Sequence, residues 1–427
     1  MVSFKGYLSQ ETSKEFLAFY EDQLFNNVLP FWIENGIDLQ YGGYFNCFTN
    51  STYEMVSDDK YVWSQGRFIW LFSMLADLVK QESSYLNLAK IGFEFLKDNC
   101  FLENGHCAFL LNRQGVPKEP IKGMGFDVSI FADCFVILGF SKYATVSGDT
   151  TALKIALETF ELVINRIESG EIKTEPEPTP SGFRSHGVSM ILLNVSQGIT
   201  EALERFGHKK TEWARAKKEL FYRDILTNFL NEDNIILELV TDSPELREGI
   251  LGRYVNPGHS VECMWFVMHE AMKYRDSKVI LQAISVIKTV IKLGWDIENG
   301  GIFQFIDKVG GKPQGKTDGF DGHPMISKLN SDWDTKLWWV HSEALYSTLL
   351  GYCLTGDDAV FQLYKKVFAY TFQTFPHPER QKGEWIQIRD RRGNPSEKVV
   401  ALPVKDPFHI IRNFALIIEL LSQYCLG

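Results

Sequence analysis

Apolar side chains recur at three- and four-residue spacing in eleven segments: 14–32, 66–80, 85–99, 150–168, 189–206, 211–231, 260–274, 277–293, 337–353, 359–375 and 410–424. That period predicts amphipathic helices with one buried face. Between them lie short Gly-rich aromatic stretches: Tyr41-Gly42-Gly43-Tyr44-Phe45, Asn104-Gly105-His106-Cys107-Ala108-Phe109, Asn299-Gly300-Gly301-Ile302-Phe303-Gln304-Phe305 and Gly383-Glu384-Trp385-Ile386-Gln387-Ile388. Asn234-Ile235-Ile236-Leu237-Glu238-Leu239 reads as a degenerate copy. Each is a turn followed by a small strand. They return at a spacing of roughly 60–80 residues, which signals a repeat architecture. Six helix pairs, each with a hairpin at one end, predict an all-α (α/α)6 barrel: six inner helices, six outer ones, and a cleft at the mouth that carries the hairpins. An open helical solenoid has the same periodicity, and the uneven repeat length favours the closed ring.

No stretch reads as an interdomain linker, so residues 1–427 are expected to form one catalytic domain. The Pro-rich stretch 168–181 reads as a surface loop between repeats. The long loop 310–331 is a candidate lid over the mouth. The net charge of −10 disfavours nucleic acid and anionic membrane as partners and is compatible with a neutral small molecule. No run of about 18 apolar residues stands out as a membrane span. Met1-Val2-Ser3-Phe4-Lys5-Gly6 lacks the basic and apolar blocks of a signal peptide. Seven cysteines, an odd number with no CxxC pair, point to reduced thiols and a cytoplasmic protein. Aromatic residues are abundant, with 32 Phe, 16 Tyr and 10 Trp; most are expected to fill space between helices. Trp63, Trp338, Trp339 and Trp385 stand beside polar residues, where an indole can stack on a sugar.

The candidate chemistry centres on Asn256-Pro257-Gly258-His259-Ser260-Val261-Glu262, where Pro at the first helical position marks a helix start. His259 and Glu262, three apart, share a face. A similar pairing returns at Trp338-Trp339-Val340-His341-Ser342-Glu343, and a further histidine stands at Phe408-His409. Inverting a sugar carbon next to a carbonyl needs one group to remove the proton and another to return it from the opposite face. Imidazoles titrating near neutrality suit both tasks. The enolate between the two steps needs electrostatic support at oxygen. Arg67 is a candidate for that support, and Glu262 and Glu343 are candidates to orient the imidazoles or bind hydroxyls. Tyr61, Trp63, Trp339, Trp385 and His341 are candidate substrate contacts. His106, His186, His208, His269, His323 and His377 read as surface or structural. No metal is expected, since neither HExxH nor a Cys/His zinc spacing occurs. A Walker loop, a dinucleotide fingerprint and a serine nucleophile elbow are also lacking.

Several stretches together resemble the N-acylglucosamine 2-epimerase family, known also as renin-binding proteins. They are Asp59-Lys60-Tyr61-Val62-Trp63-Ser64-Gln65-Gly66-Arg67, Leu251-Gly252-Arg253 with Asn256-Pro257-Gly258-His259, Lys336-Leu337-Trp338-Trp339-Val340-His341-Ser342-Glu343-Ala344, Gly383-Glu384-Trp385 and Phe408-His409. The resemblance implies an (α/α)6 barrel, often dimeric, and epimerisation at C2 that needs no cofactor. ATP is an activator of some members without being consumed. The family's acid/base histidines fall on His259 and His409, its arginine on Arg67, and its supporting carboxylates on Glu262 and Glu343. The expected reaction interconverts N-acetylglucosamine and N-acetylmannosamine, with a monosaccharide as the only partner besides a possible second copy of the chain. The stretch from Ala401 to Arg412 departs from the family's pattern, which leaves mannose/glucose epimerisation and aldose–ketose isomerisation open. An (α/α)6 glycoside hydrolase using Glu262 and Glu343, and a binding protein without catalysis, are the readings from other classes.

Overall fold

A computed structural model describes residues 6, 8–80, 83–317 and 319–426; residues 1–5, which bear on the signal-peptide expectation, lie outside that set. Twelve long helices form the body. Helix α1 runs Gln10–Gln23 and continues through a π-helical turn, Leu24–Val28, into Leu29–Asn35. It is followed by α2 (Val62–Leu78), α3 (Ser83–Asn99), α4 (Ile130–Ser147), α5 (Thr150–Ser169), α6 (His186–Arg205) and α7 (Thr211–Asp224). The chain ends with α8 (Pro257–Tyr274), α9 (Ser277–Gly294), α10 (Trp338–Thr355), α11 (Asp358–Thr374) and α12 (Phe408–Leu426).

The even-numbered helices pack in sequence around a ring, and α12 closes it against α2. Each odd-numbered helix backs one inner helix: α3 on α2, α5 on α4, α7 on α6, α9 on α8, α11 on α10, and α1 on α12. The closed toroid therefore replaces the open solenoid. Three of the inner-to-outer turns share one device. Gly148, Arg275 and Gly356 end their helices in the left-handed conformation, and the next residue, Asp149, Asp276 or Asp357, caps the following helix through its carboxylate.

Helix α4 is the one long helix that the apolar period does not predict. Its buried residues run almost all the way round, from Ile130 and Ala132 through Phe135, Ile137 and Leu138 to Phe140 and Tyr143. With no polar stripe there is no amphipathic signal to read. It is also long and apolar enough to cross a membrane, with mean hydropathy 1.4, yet 72 % of that stretch is buried inside the protein. Its crossing with α2 is backbone on backbone. A Cβ on Gly66 would stand 2.3 Å from the Phe135 carbonyl oxygen, and one on Gly139 would stand 2.4 Å from that of Gly66.

Short antiparallel strands lead into the inner helices. The strands are β1 (Lys60–Tyr61), β2 (Leu110–Leu111), β3 (Pro117–Lys118), β4 (Arg184–Ser185), β5 (Leu239–Val240), β6 (Tyr254–Val255), β7 (Ile306–Asp307), β8 (Lys336–Leu337) and β9 (Ile388–Arg389). They pair β1–β2–β3, β4–β5, β6–β7 and β8–β9. Strands β1, β4, β6 and β8 run directly into α2, α6, α8 and α10, so the hairpins gather at the mouth formed by inner-helix N-termini. The four Gly-rich stretches and their degenerate copy close isolated bridges just beyond outer helices: Ile37 with Tyr44, Phe101 with Cys107, Leu230 with Ile236, Trp295 with Ile302, and Pro376 with Trp385.

The cover of the mouth differs from expectation. Thr174, Pro176 and Glu177 from the stretch read as a plain surface loop line the cavity, as do Val400, Ala401, Leu402 and Val404. No described residue of 310–331 does. Its helix, Pro324–Ser331, sits behind both loops, where Lys328 Nζ donates to Glu177 Oε1 at 2.6 Å and to the Val400 carbonyl at 2.8 Å. The predicted lid is a clamp on two other loops.

Candidate active site

One cavity collects residues from the first turns of the inner helices: Trp63 and Arg67 of α2, Phe131 and Phe135 of α4, Gly187 and Met190 of α6, His259 and Glu262 of α8, Trp338 and Trp339 of α10, and His409 of α12. Helix N-termini carry partial positive charge, which supports negative charge that develops on a substrate held against them. The Trp339 indole lies against both histidines, 5.4 Å from the His259 ring and 5.5 Å from the His409 ring, centroid to centroid. Gly258 makes room for it, because a Cβ there would stand 2.3 Å from the indole.

The two imidazoles have different supports. His259 Nδ1 lies 3.0 Å from Glu238 Oε1, and its backbone N–H donates to the Asn256 side chain that caps α8. Burial works against a charged ring here, but Glu238, followed by Glu262 and Glu177, outweighs it and holds the His259 pKa up at about 9. His409 Nδ1 lies 2.7 Å from Glu343 Oε1, a contact that assigns the Nδ1 proton and leaves the Nε2 lone pair unclaimed. Burial, with Arg412 and Arg67 nearby, outweighs the neighbouring carboxylates and pushes His409 down to about 3. At neutral pH one ring is an imidazolium and the other a neutral base.

Glu343 is wholly buried and does not line the cavity. Its oxygens accept from His409, from Arg412 at 2.5 Å, from Asn413 at 2.8 Å and from Trp265 at 2.7 Å. The Arg412 guanidinium is shared between Glu343 and Glu262. Glu262 therefore supports the His409 side, 3.8 Å from its Nδ1, while the carboxylate bonded to His259 is Glu238. Both glutamates of the hydrolase reading serve one buried cation, and only Glu262 reaches the cavity. Arg67 pairs with Asp406 and stacks on Phe135, its guanidinium carbon 4.2 Å from the ring centre. Asp406 in turn caps α12, accepting from the Phe408 backbone N–H at 2.8 Å.

Three expected substrate contacts lie elsewhere. His341 is fully buried, stacks on Tyr370 of α11 at 5.1 Å, and accepts from the Ile302 N–H through Nε2. Trp339 and Glu343 share one helix face, and His341, midway between them, must face the outer layer. Trp385 is packed among Phe372, Phe375 and Phe414. Tyr61 stands edge-on to Phe109 and does not line the cavity. His186, read as surface or structural, is fully buried with Nδ1 3.6 Å from Glu238 Oε2.

Among the described residues, two groups bring three potential metal donors within 4.8 Å of one another: His186, Glu238 and His259, and Glu262, Glu343 and His409. In the second, Arg412 already supplies the positive charge. In the first, the imidazolium of His259 balances Glu238.

A family model described as N-acylglucosamine 2-epimerase (GlcNAc 2-epimerase) matches residues 43–412. The N-acylglucosamine 2-epimerase of Bos taurus is 30 % identical over 426 residues, covering 97 % of this chain and 94 % of that one. Among solved structures, a cellobiose 2-epimerase from Spirochaeta thermophila aligns with TM-score 0.75 at 19 % identity, covering 97 % of this chain and 98 % of its own. A D-mannose isomerase aligns with TM-score 0.72 at 17 % identity, covering 98 % and 99 %. Both solved structures share the toroid.

Proposed function

The chain belongs to the N-acylglucosamine 2-epimerase family, and from that premise we propose that it interconverts N-acetylglucosamine and N-acetylmannosamine by moving the proton on C2. The observation that carries the reading is the pair of imidazoles in one cavity, held in opposite protonation states against a common indole. Environments that push two titratable groups apart divide the work into base and acid. On the open-chain sugar, His409 Nε2 removes the C2 proton as the electron pair moves toward the carbonyl oxygen. Arg67 and the surrounding helix N-termini offset the negative charge that collects there. His259 then gives its proton to C2 from the other face. The step leaves His409 protonated and His259 neutral, and the reverse direction starts from that state with the roles exchanged. Both groups the reaction needs are side chains, and ATP, if it acts, acts as an activator.

The apolar side chains of Val400, Leu402 and Val404 at the mouth support an N-acyl substrate, since an acetamido methyl group covers such surface and a hydroxyl does not. The test is a sugar panel in deuterated water, followed at C2 by NMR. N-Acetylglucosamine and N-acetylmannosamine should interconvert with deuterium entering C2. Turnover of unsubstituted glucose or mannose in preference to these, or a ketose product, overturns the assignment.

A further inference from the structure

We propose that Gln304 is a substrate-binding residue, whose side-chain oxygen accepts a hydrogen bond from an uncharged donor of the sugar, a hydroxyl or the acetamido N–H, beside the reacting carbon. This rests on the sugar-epimerase reading above. Gln304 lines the cavity, yet it is only 4 % exposed and its Oε1 has no hydrogen-bond partner. Its backbone is pinned: the Phe303 N–H donates to the Gly294 carbonyl at 2.9 Å, that of Gln304 to Thr335 at 3.1 Å, and that of Phe305 to Trp333 at 3.1 Å. The residue is thereby fixed against the Thr335 turn that feeds α10, two positions before the strand β7 whose partner β6 feeds α8. Those helices carry His259 and Trp339.

A buried amide without a partner is costly, and native folds avoid it unless something else completes the bond. This fold satisfies its other buried glutamines. Gln23 accepts from Asn27, Gln65 makes two bonds to the Tyr44 backbone, and Gln387 bonds Glu384 and both backbone groups of Asp406. Among the described residues the buried carboxamides with an unpaired atom are Asn46, Asn413 and Gln304, and of these Gln304 is the one that lines the cavity. An unpaired carboxamide oxygen accepts without charge, so it matches a hydroxyl or an amide N–H; a phosphate or carboxylate calls for a cation.

The experiment compares wild type with Gln304→Leu and Gln304→Asn, using N-acetylmannosamine binding by calorimetry, steady-state kinetics and thermal unfolding. Gln304→Leu should weaken sugar binding and raise KM by about tenfold or more, with kcat and the pH profile little changed. Its unfolding midpoint should equal or exceed wild type, because an unsatisfied amide has been removed. Gln304→Asn should fall between the two in KM. Unchanged binding and KM, or a lowered midpoint that accompanies the KM effect, overturns the role. If wild type shows no C2 exchange with any sugar, the epimerase reading falls by itself, and the calorimetric comparison still decides whether Gln304 holds the sugar.

Discussion

His259 and His409 differ in what stands behind them, and that difference predicts separable effects. Glu238 is the main support of the imidazolium at 259. Glu238→Gln should move the alkaline limb of the kcat/KM profile from near pH 9 toward neutrality, and leave the acid limb in place. The sign follows from linkage: a pKa raised from 6.5 to about 9 stabilises the fold fully below pH 6.5, and that contribution is lost as pH rises through 9. The variant should therefore lose stability chiefly at neutral and acid pH, which urea titrations at pH 6 and pH 10 can check. Arg412 poses a different question, because Glu262 and Glu343 both depend on it. Arg412→Met leaves two buried carboxylates facing each other and should cost about 3–5 kcal/mol in equilibrium unfolding. Sequence spacing marked Glu262 as the partner of His259, since three residues apart on a helix is one face. Glu238 sits 21 positions away, just before strand β5, in a turn that only the tertiary fold brings alongside.

At the level of elements, the two inner helices α2 and α4 meet through glycine, and Arg67 follows Gly66 directly. Gly66→Ala should therefore do more than crowd the crossing. It should destabilise by about 1–3 kcal/mol and also lower kcat/KM by shifting the arginine, and unfolding and kinetics measured on the same variant separate the two. Helix α4 itself was illegible because an element buried on every side has no period, whereas its amphipathic neighbours, shielded on one face only, declared themselves. The mouth loops show the same limit. Polarity and proline content describe 168–181 correctly as a connection, but not that Glu177 turns into the cavity and meets Lys328. That ion pair is partly exposed, so Lys328→Met should raise KM by less than about fivefold and leave kcat near wild type.

Over the whole molecule, the repeat was readable because each Gly-rich return marks the end of one helix pair. Gly42-Gly43 and Gly300-Gly301 hold positive φ at both positions, which explains why the pair of glycines recurs. Ring closure was less visible, since the pairing of α1 with α12 joins segments almost 400 residues apart. Motif adjacency also carried His341, Trp385 and Tyr61 into the expected site, although helix rotation and core packing turn them elsewhere. Closure matters for the chemistry: it brings α12 and α8, two positions apart around the ring, to one mouth and sets His409 and His259 on the same indole. The most direct test of that arrangement is C2 proton exchange in deuterated water by His259→Asn and His409→Asn variants, each offered the two N-acetylhexosamine epimers separately. Two bases on opposite faces predict that each variant fails to epimerise but still exchanges the C2 proton of one epimer, a different one in each case, the His409→Asn variant as pH rises toward 9 and frees the His259 base. Epimerisation that survives either substitution, or exchange of both epimers lost together in both variants, would contradict it.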